Sequence, residues 1–417
     1  MLKHSLFPFI LFITVSSPAA VTIRLDDVPK RVIEHNPSLK AARFRIEEAR
    51  GRVMQAGRLS NPEAGVELKH DPRFEEGNVG VSLDQKFPLT ARLRLEKALS
   101  EKAVAAAELE VRNAERERIA EAQTLAVKLL ALDQQRALRQ KQSSLAGELA
   151  DFISKRADKG EMSALDASQA RLDTQRISQQ GRQLETEHIA VLGQLKPLLG
   201  LSATEALSIR GALPAAGITS SITGVDRRPD YQLSKLREES AQTEIELAKA
   251  HKWEDASAGI FLEGERMEDA PDGLTRNGFL GLRFSLPLPL WNKNEGEVQE
   301  KSASAQRAVM ETKALASEIE NEAAAARSEM EAHARLAAET RDKLLPLVVQ
   351  QADRLQKAYE QGQTDLLTVL RVREQNLALE ASILDSLRDY HLARIRFESA
   401  IGRHAPTSPS APSTSQK

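Results

Sequence analysis

The 417-residue sequence contains no cysteine, and only 4% of its residues are aromatic. Without cysteine there are no disulfides, no thiolate metal sites and no catalytic thiol, and we also expect no lipid anchor on an N-terminal cysteine. The scarcity of aromatic residues beside 28% charged residues argues against a thick globular core. This composition is typical of long helices packed side by side, in which Ala and Leu form thin seams.

A strong excess of either charge is also lacking, because the formal net charge is −2. A basic field of the kind that holds nucleic acid is therefore absent, and we exclude that partner. After the N-terminal segment no apolar run approaches the roughly twenty residues of a membrane-spanning helix. The chain beyond that segment is expected to cross a membrane only as part of a β-barrel.

The first 19 residues have the layout of a secretory signal peptide. Lys3 and His4 precede an apolar run from Leu6 to Val15, and small residues follow up to Ala20. The apolar run is too short to span a bilayer as a helix. We therefore predict a signal peptide over 1–19 and a secreted or envelope protein.

A first structural repeat is predicted over 20–200. A helical pattern from about Arg24 to Gly57 is broken once at Asn36-Pro37, and alternating residues then predict a β-hairpin over 63–87. The 69 residues from Thr90 to Asp158 contain no proline and predict a helix of roughly 100 Å. Gly160 permits a reversal, and Ser163 caps the return helix to Gly200.

The chain then repeats this order. A connector over 201–227 leads to a second repeat over 228–402, with a hairpin over 256–286 that contains a long polar loop, and a second helical rod from about Asn292 to Tyr359. Gly160 and Gly362 are 202 residues apart, as are Gly200 and Gly402, which indicates an internal duplication. We predict a disordered tail over 403–417.

The predicted strands have about the length that a tilted strand needs to cross a bilayer. Phe87, Trp253 and Trp291 lie at the ends of these segments, as rings at a membrane interface do. Four strands cannot close a barrel, so the chain must oligomerise; two copies give eight strands, and three give twelve with an aqueous lumen. The predicted lumen residues are Glu67, Lys69, Glu263 and Arg283.

Several short motifs in this order resemble the TolC family of outer-membrane efflux channels over essentially the whole length after the signal peptide. They are Asn36-Pro37-Ser38-Leu39-Lys40-Ala41-Ala42, Gln55-Ala56-Gly57, Asn61-Pro62-Glu63, Phe87-Pro88-Leu89 and the turns that begin at Gly160 and Gly362. The run from Pro287 to Gly296 is similar to the heavy-metal branch typified by CzcC.

The resemblance implies a mainly α-helical fold with a small β part: antiparallel coiled-coil helices form a periplasmic tunnel, and a homotrimer forms a twelve-stranded β-barrel in outer-membrane lipid. The implied location is the outer membrane of a Gram-negative bacterium, and the implied partners are a periplasmic adaptor protein and an inner-membrane RND-type pump. The residues that match the adaptor-docking turns are Lys159, Gly160, Glu161, Ser163, Gln361, Gly362, Thr364 and Asp365.

Asp166 and Asp365 follow these turns and have two interpretations. Acidic residues favour the positive end of a helix dipole, which explains both without any further function. In a trimer, however, each carboxylate would be repeated around the axis, and rings of acidic residues select cations in channels. Capping is the favoured interpretation, and an aperture charge is the alternative.

No catalytic or cofactor site is predicted. The eight histidines show no metal-ligand spacing, and no nucleophile, acid–base pair or phosphate-binding loop appears, so we expect neither an enzyme nor a resident metal. The favoured function is a passive exit duct whose cargo is divalent or other heavy-metal cations. The same duct for drugs, dyes or a type I secreted protein is the alternative, and a soluble periplasmic coiled-coil scaffold is an alternative of another class.

Overall fold

The computed structural model describes residues 21–72, 76–217, 225–269 and 273–403. The predicted signal peptide and the predicted tail after Arg403 lie outside these residues. The described chain falls into two compact units. Among the described residues, the first unit comprises 21–37, 117–217 and 325–397, and the second comprises 38–72, 76–116, 225–269, 273–324 and 398–403.

The chain is mainly helical. Its helices are α1 Val28–His35, α2 Pro37–Gln55, α3 Arg92–Asp158, α4 Ala164–Leu198, α5 Pro229–Ala250, α6 Glu295–Glu339, α7 Leu345–Glu360 and α8 Leu366–Ala400. In the described ranges, no helix combines the length and the apolar character that crossing a bilayer requires. The strands are β1 Val21–Arg24, β2 Glu63–His70, β3 Gly77–Phe87, β4 Leu207–Arg210, β5 Ala256–Asp269 and β6 Gly273–Ser285.

The second unit contains a four-stranded antiparallel sheet in the order β2-β3-β5-β6, which confirms the predicted small β part. β5 and β6 are longer than expected, with 14 and 13 residues, so most of the predicted polar loop between them is strand. The alternation disappears after Gly264 because Glu265 and Arg266, on opposite faces, are both polar, while the backbone pairing continues from Gly264↔Gly278 to Asp269↔Gly273.

The first unit contains a small parallel sheet that the sequence analysis missed. β1 pairs with β4 in the register Val21↔Leu207 to Arg24↔Arg210. The N-terminal segment therefore starts as a strand and a short 3₁₀ turn before α1, and the predicted connector contains β4. The alternation of Leu207 and Ile209, both buried, with Ser208 and Arg210 was the signal, but four residues are too short to decide.

The second long rod is interrupted, which corrects the prediction of one continuous helix. Thr340–Leu344 forms a π-helical turn, in which the Leu345 N–H bonds the Thr340 carbonyl five residues back. Pro346, the second residue of α7, explains the interruption. It has no N–H, and its ring displaces the carbonyl four residues earlier. The first rod, α3, has no proline and is helical throughout its 67 residues.

Apolar seams hold the helices of the first unit. The predicted heptad leucines Leu125, Leu129 and Leu132 of α3 are all buried, and the largest fully buried side chains of this unit include Tyr390 and Phe397 of α8. The Tyr390 hydroxyl also holds the segment that follows β4, since it donates to the Gly217 carbonyl at 2.6 Å and accepts from the Gly217 N–H at 3.0 Å.

An ionic cluster around two buried arginines joins four helices of the second unit. Arg228, which precedes α5, donates to Asp230 of α5 at 2.6 and 3.0 Å and to Glu322 of α6 at 2.7 Å. Arg116 of α3 donates to Ser399 Oγ of α8 at 2.6 Å and lies 3.7 Å from Asp230. Burial alone would raise the pKa of Asp230, but the hydrogen bonds and charge of Arg228 and the charge of Arg116 hold it below its usual value.

The four glycines that mark the internal duplication all have positive φ, between 68° and 78°, yet their surroundings differ. A Cβ at Gly200 would lie 2.5 Å from the His35 carbonyl oxygen, and one at Gly402 would lie 3.0 Å from the Arg227 backbone. A Cβ at Gly160 or Gly362 would meet nothing within 4 Å. One pair therefore ends helices against packed backbone, and the other pair forms open turns.

We expect Gly200→Ala to destabilise the protein more than Gly160→Ala. Both substitutions impose the left-handed strain of about 1–2 kcal/mol, but only Gly200→Ala adds overlap with packed backbone, for a total of about 3 kcal/mol or more. Thermal unfolding of the purified full-length protein measures the difference. Equal melting temperatures for the two variants would contradict the contrast in packing.

Candidate functional site

The register of the sheet brings the apolar residues of all four strands onto one face. Val66, Val81, Leu262 and Leu280 form one rank across the sheet, because each pairs directly with the next. The ranks on either side are Ala64, Leu83, Ile260 and Leu282, and Leu68, Val79, Gly264 and Gly278.

This apolar face is bare. Ten of its side chains are between 47% and 76% exposed: Val66, Leu68, Val79, Val81, Leu83, Ile260, Leu262, Leu280, Leu282 and Phe284. Soluble proteins rarely expose a contiguous apolar patch of this kind unless it is an interaction surface. The described residues of the single chain leave the face uncovered, and such a face suits contact with lipid or another apolar surface.

The opposite face carries the four predicted lumen residues. Glu67 pairs with Gly80, which pairs with Glu263, and the same parity places Lys69 and Arg283 on this face. Glu67 forms an ion pair with Lys69, and Asn78 donates to Glu263. The sequence therefore placed all four residues on one face correctly; their role in a lumen remains a prediction.

Arg283 has two neighbours on this face that the sequence analysis did not identify. Its guanidinium lies 5.4 Å from the centroid of the Phe261 ring and 3.9 Å from the Asp84 carboxylate. Phe261 pairs with Gly281, and a Cβ at Gly281 would lie 2.2 Å from the ring, so the ring covers the glycine. Only the strand register reveals this arrangement, because Asp84 and Phe261 are far apart in sequence.

The three predicted interface aromatics lie near the strand ends that adjoin helices. Phe87 is the last residue of β3, Trp253 precedes β5, and Trp291 follows β6 and is 93% exposed. Arg92, at the start of α3, fixes this junction: it donates to Asp255 at 2.7 Å and to Glu96 at 2.8 Å.

The two helical turns expose most of the residues predicted for adaptor docking. Lys159, Gly160, Glu161 and Ser163 are exposed in the first turn, and Gln361, Gly362 and Asp365 are exposed in the second, with Thr364 half-buried. Asp166 and Leu367 line one cleft of about 660 Å³ between α3, α4 and α8. The starts of α4 and α8 are therefore close to each other within the first unit.

The acidic residues after the two turns have different contacts. Asp365 accepts a hydrogen bond from the Thr368 N–H at 2.7 Å, and this bond lowers the pKa of its carboxyl. In the first turn the cap is Ser163, whose Oγ accepts from the Leu165 N–H at 3.1 Å. Asp166 is exposed on the first turn of α4. Asp365 is thus a helix cap, whereas Asp166 leaves the capping to Ser163.

A mainly helical chain with a four-stranded sheet that exposes one continuous apolar face has an architecture suited to a subunit of a membrane barrel. Comparison with known proteins gives the following similarities. Residues 28–201 match the model of the family described as Outer membrane efflux protein. A search of curated protein sequences finds no match.

Solved structures extend the likeness well beyond residues 28–201. CusC is 15% identical with a TM-score of 0.73, and the alignment covers 92% of this chain and 93% of CusC. A membrane protein from Pseudomonas aeruginosa is 18% identical with a TM-score of 0.73, over 91% of this chain and 93% of that one. The outer membrane protein VceC from Vibrio cholerae is 18% identical with a TM-score of 0.71, over 91% and 96%.

Residues 28–201 therefore carry the sequence signature of the outer membrane efflux protein family, and the structural likeness shows that the rest of the chain has the same fold. This confirms the predicted fold class, and at 15–18% identity the likeness to the solved structures is one of fold. The narrower resemblance to the CzcC branch stays a prediction.

We expect Asp365→Ala to loosen the start of α8, while Asp365→Asn preserves it, because an asparagine oxygen can still accept the Thr368 N–H bond. Hydrogen exchange of the Leu367 and Thr368 amides measures this, and it should be faster in Asp365→Ala alone. Since the pKa of Asp365 is lowered, the wild-type cap persists above the usual Asp pKa and is lost as the pH falls through the lowered value. Equal exchange in both variants at pH 7 would contradict the cap.

Proposed function

We propose that this protein is the outer-membrane duct of a tripartite efflux system, with its helices extending into the periplasm. The register of the four-stranded sheet carries the proposal. It gives every strand an apolar side and a polar side, and it leaves the apolar side bare. A sheet of this kind suits a wall between lipid and water.

The proposed assembly is a homotrimer. β2 and β6 are the edge strands of the sheet, and an open edge in lipid would leave backbone groups unpaired at several kcal/mol each. Pairing β6 of one copy with β2 of the next removes every edge, and three copies give twelve strands around an aqueous lumen. Glu67, Lys69, Glu263 and Arg283 then line the water path.

The chain needs no chemistry of its own in this function. In the described residues, no three His, Asp or Glu side chains are arranged to hold a metal ion. The duct would supply a wet path through the membrane, and an inner-membrane RND-type pump would supply the energy through a periplasmic adaptor. The adaptor would bias the equilibrium between closed and open turns by binding one state more tightly.

The adaptor would dock on the exposed turns 159–163 and 361–365. Two features support this. Gly160 and Gly362 have no packed neighbour that a docking partner would have to displace, and the starts of α4 and α8 line one cleft. Asp166 is the better candidate for an aperture charge, because the carboxylate of Asp365 is engaged with the Thr368 N–H.

Heavy-metal cations are the proposed cargo. This rests on the similarity of the run from Pro287 to Gly296 to the CzcC branch. The same architecture would serve drugs, dyes or a type I secreted protein, so the cargo is separable from the duct function. A soluble periplasmic scaffold is the alternative of another class, and the bare apolar face disfavours it.

The absence of cysteine permits a direct test of the wall, since any introduced thiol is the only one in the protein. We expect Arg283→Cys to react with a charged, water-soluble thiol reagent in native membranes, while Leu282→Cys remains unlabelled. The two positions are adjacent on β6 but face opposite sides of the sheet. Bound reagent at position 283 should also change the single-channel conductance.

Labelling after detergent extraction is the control, because both thiols should then react. If Leu282→Cys reacts as fast as Arg283→Cys in membranes, the apolar face is not in lipid and the duct proposal fails. Release of the wild-type protein by carbonate without detergent would lead to the same conclusion and favour the scaffold.

The cargo is tested by deletion of the gene in its host. We expect tolerance to at least one of zinc, cobalt, cadmium, copper and silver to fall severalfold, and the wild-type chain to restore it. The strain expressing Leu282→Cys serves as a matched control for expression. Unchanged tolerance to all five metals would refute the metal assignment, while leaving the labelling result to decide the duct.

A further inference from the structure

One rank of the apolar face is basic instead of apolar. Beyond the rank of Leu68, Val79, Gly264 and Gly278, the strand register pairs His70 with Gly77, Gly77 with Arg266, and Arg266 with Arg276. Two arginines therefore lie directly opposite each other on β5 and β6, on the same side as the leucines. Both are exposed.

The position of this basic rank along the strands corresponds to a membrane boundary. Phe87 and Gly77 are the two ends of β3, both on the apolar face and ten residues apart. Ten residues span about 33 Å along a strand, and a tilt of about 40° reduces this to a height of about 25 Å. That is the height of the apolar band in membrane barrels, so Phe87 and the basic rank lie at its two borders.

The helices adjoin the strands at the Phe87 end, so in the proposed duct that end faces the periplasm. The basic rank then lies at the outer border of the membrane, where the headgroups of the outer leaflet begin. The role inferred for these arginines rests on the proposed function, because that function decides which end of the strands faces the periplasm.

Arg266 and Arg276 place two positive charges opposite each other. Like charges directly opposite on neighbouring strands destabilise a sheet. Among the side chains that the structure describes, none forms an ion pair with Arg266 or Arg276. By contrast, Arg283 on the opposite face lies 3.9 Å from Asp84. An anion placed between Arg266 and Arg276 would relieve their repulsion, and guanidinium groups bind phosphate in a bidentate manner.

We propose that Arg266 and Arg276 bind the phosphorylated headgroup of an outer-leaflet lipid. The acyl chains of such a lipid would pass over Gly264 and Gly278 and lie on Leu262 and Leu280, while its phosphate bridges the two guanidinium groups. The bare apolar face and the basic rank thereby form one surface that matches an anionic amphiphile, and the bound lipid seals the β5–β6 hairpin against the membrane.

The test measures binding of fluorescent bisphosphorylated lipid A to the full-length protein purified in a neutral detergent. We expect the variant with Arg266→Gln and Arg276→Gln to bind about thirtyfold more weakly, since each arginine near a charged lipid surface contributes about a factor of five. Arg283→Gln, on the same strand but the opposite face, should bind like the wild type. Lipid A without its phosphates should bind the wild type as weakly as it binds the double variant.

Three outcomes would overturn the inference. If inorganic phosphate at millimolar concentration displaces lipid A completely, the rank is a general anion site and not a lipid site. Equal binding by the wild type and the double variant removes the arginines from recognition. If the double variant lowers trimer stability equally with and without lipid A, the arginines serve a contact between copies. In each case the cysteine labelling of positions 282 and 283 decides separately whether the duct proposal stands.

Discussion

The unpaired backbone of two edge strands is the constraint on which the rest of this structure depends. β2 and β6 each leave one side of their hydrogen-bonding groups without a partner in the four-stranded sheet. Water can satisfy such groups, but lipid cannot. The same sheet exposes a continuous apolar face, and the proposed duct places this face in lipid and closes the strand edges with further copies. Under that proposal oligomerisation is part of folding, and the exposed leucines of the single chain are not a defect of packing.

The long helices are stabilised by interactions different from those of the sheet. Thin apolar seams such as Leu125, Leu129 and Leu132 stabilise each long helix only when it packs on neighbours. Fixed points are therefore needed where segments enter and leave the rods. Asp230 with its two arginines provides one in the second unit, and Tyr390 with Gly217 provides one in the first. At the open turns, a Cβ on Gly160 or Gly362 would meet nothing within 4 Å, which suits the proposed docking of a partner there.

The sequence predicted the class of fold because its strongest signals are periodic. Alternation at Val79, Val81 and Leu83 requires a strand whatever surrounds it, and 69 residues without proline allow little except a helix. The features that were missed depend on contacts distant in sequence. β1 and β4 are four residues each and exist only because they pair with each other. The π-helical turn had a local signal in Pro346, but proline alone does not distinguish a kink from a helix end.

In the candidate site, too, local patterns could be predicted from the sequence, whereas contacts between strands could not. Strand parity was sufficient to group Glu67, Lys69, Glu263 and Arg283 on one face, whereas the cross-strand neighbours Asp84 and Phe261 needed the register. The extension of β5 and β6 to the Arg266 rank could not be predicted either, because a strand with two polar faces has no alternation to detect. The most informative part of the sheet is therefore the part where the hydrophobic pattern stops while the backbone pairing continues.

The pairing of charges on the polar face also bears on how a duct of this kind selects cargo. Glu67 is paired with Lys69, and Asp84 lies beside Arg283, but Glu263 and Glu265 lie on the same face and give its described side chains an acidic excess. Repeated in three copies, this excess would give the proposed lumen a negative field that favours cations over anions. Such a field attracts cations of every kind and does not distinguish one metal from another. In the proposed system the identity of the cargo is therefore decided before it reaches the lumen, at the proposed pump or at the turns near Asp166.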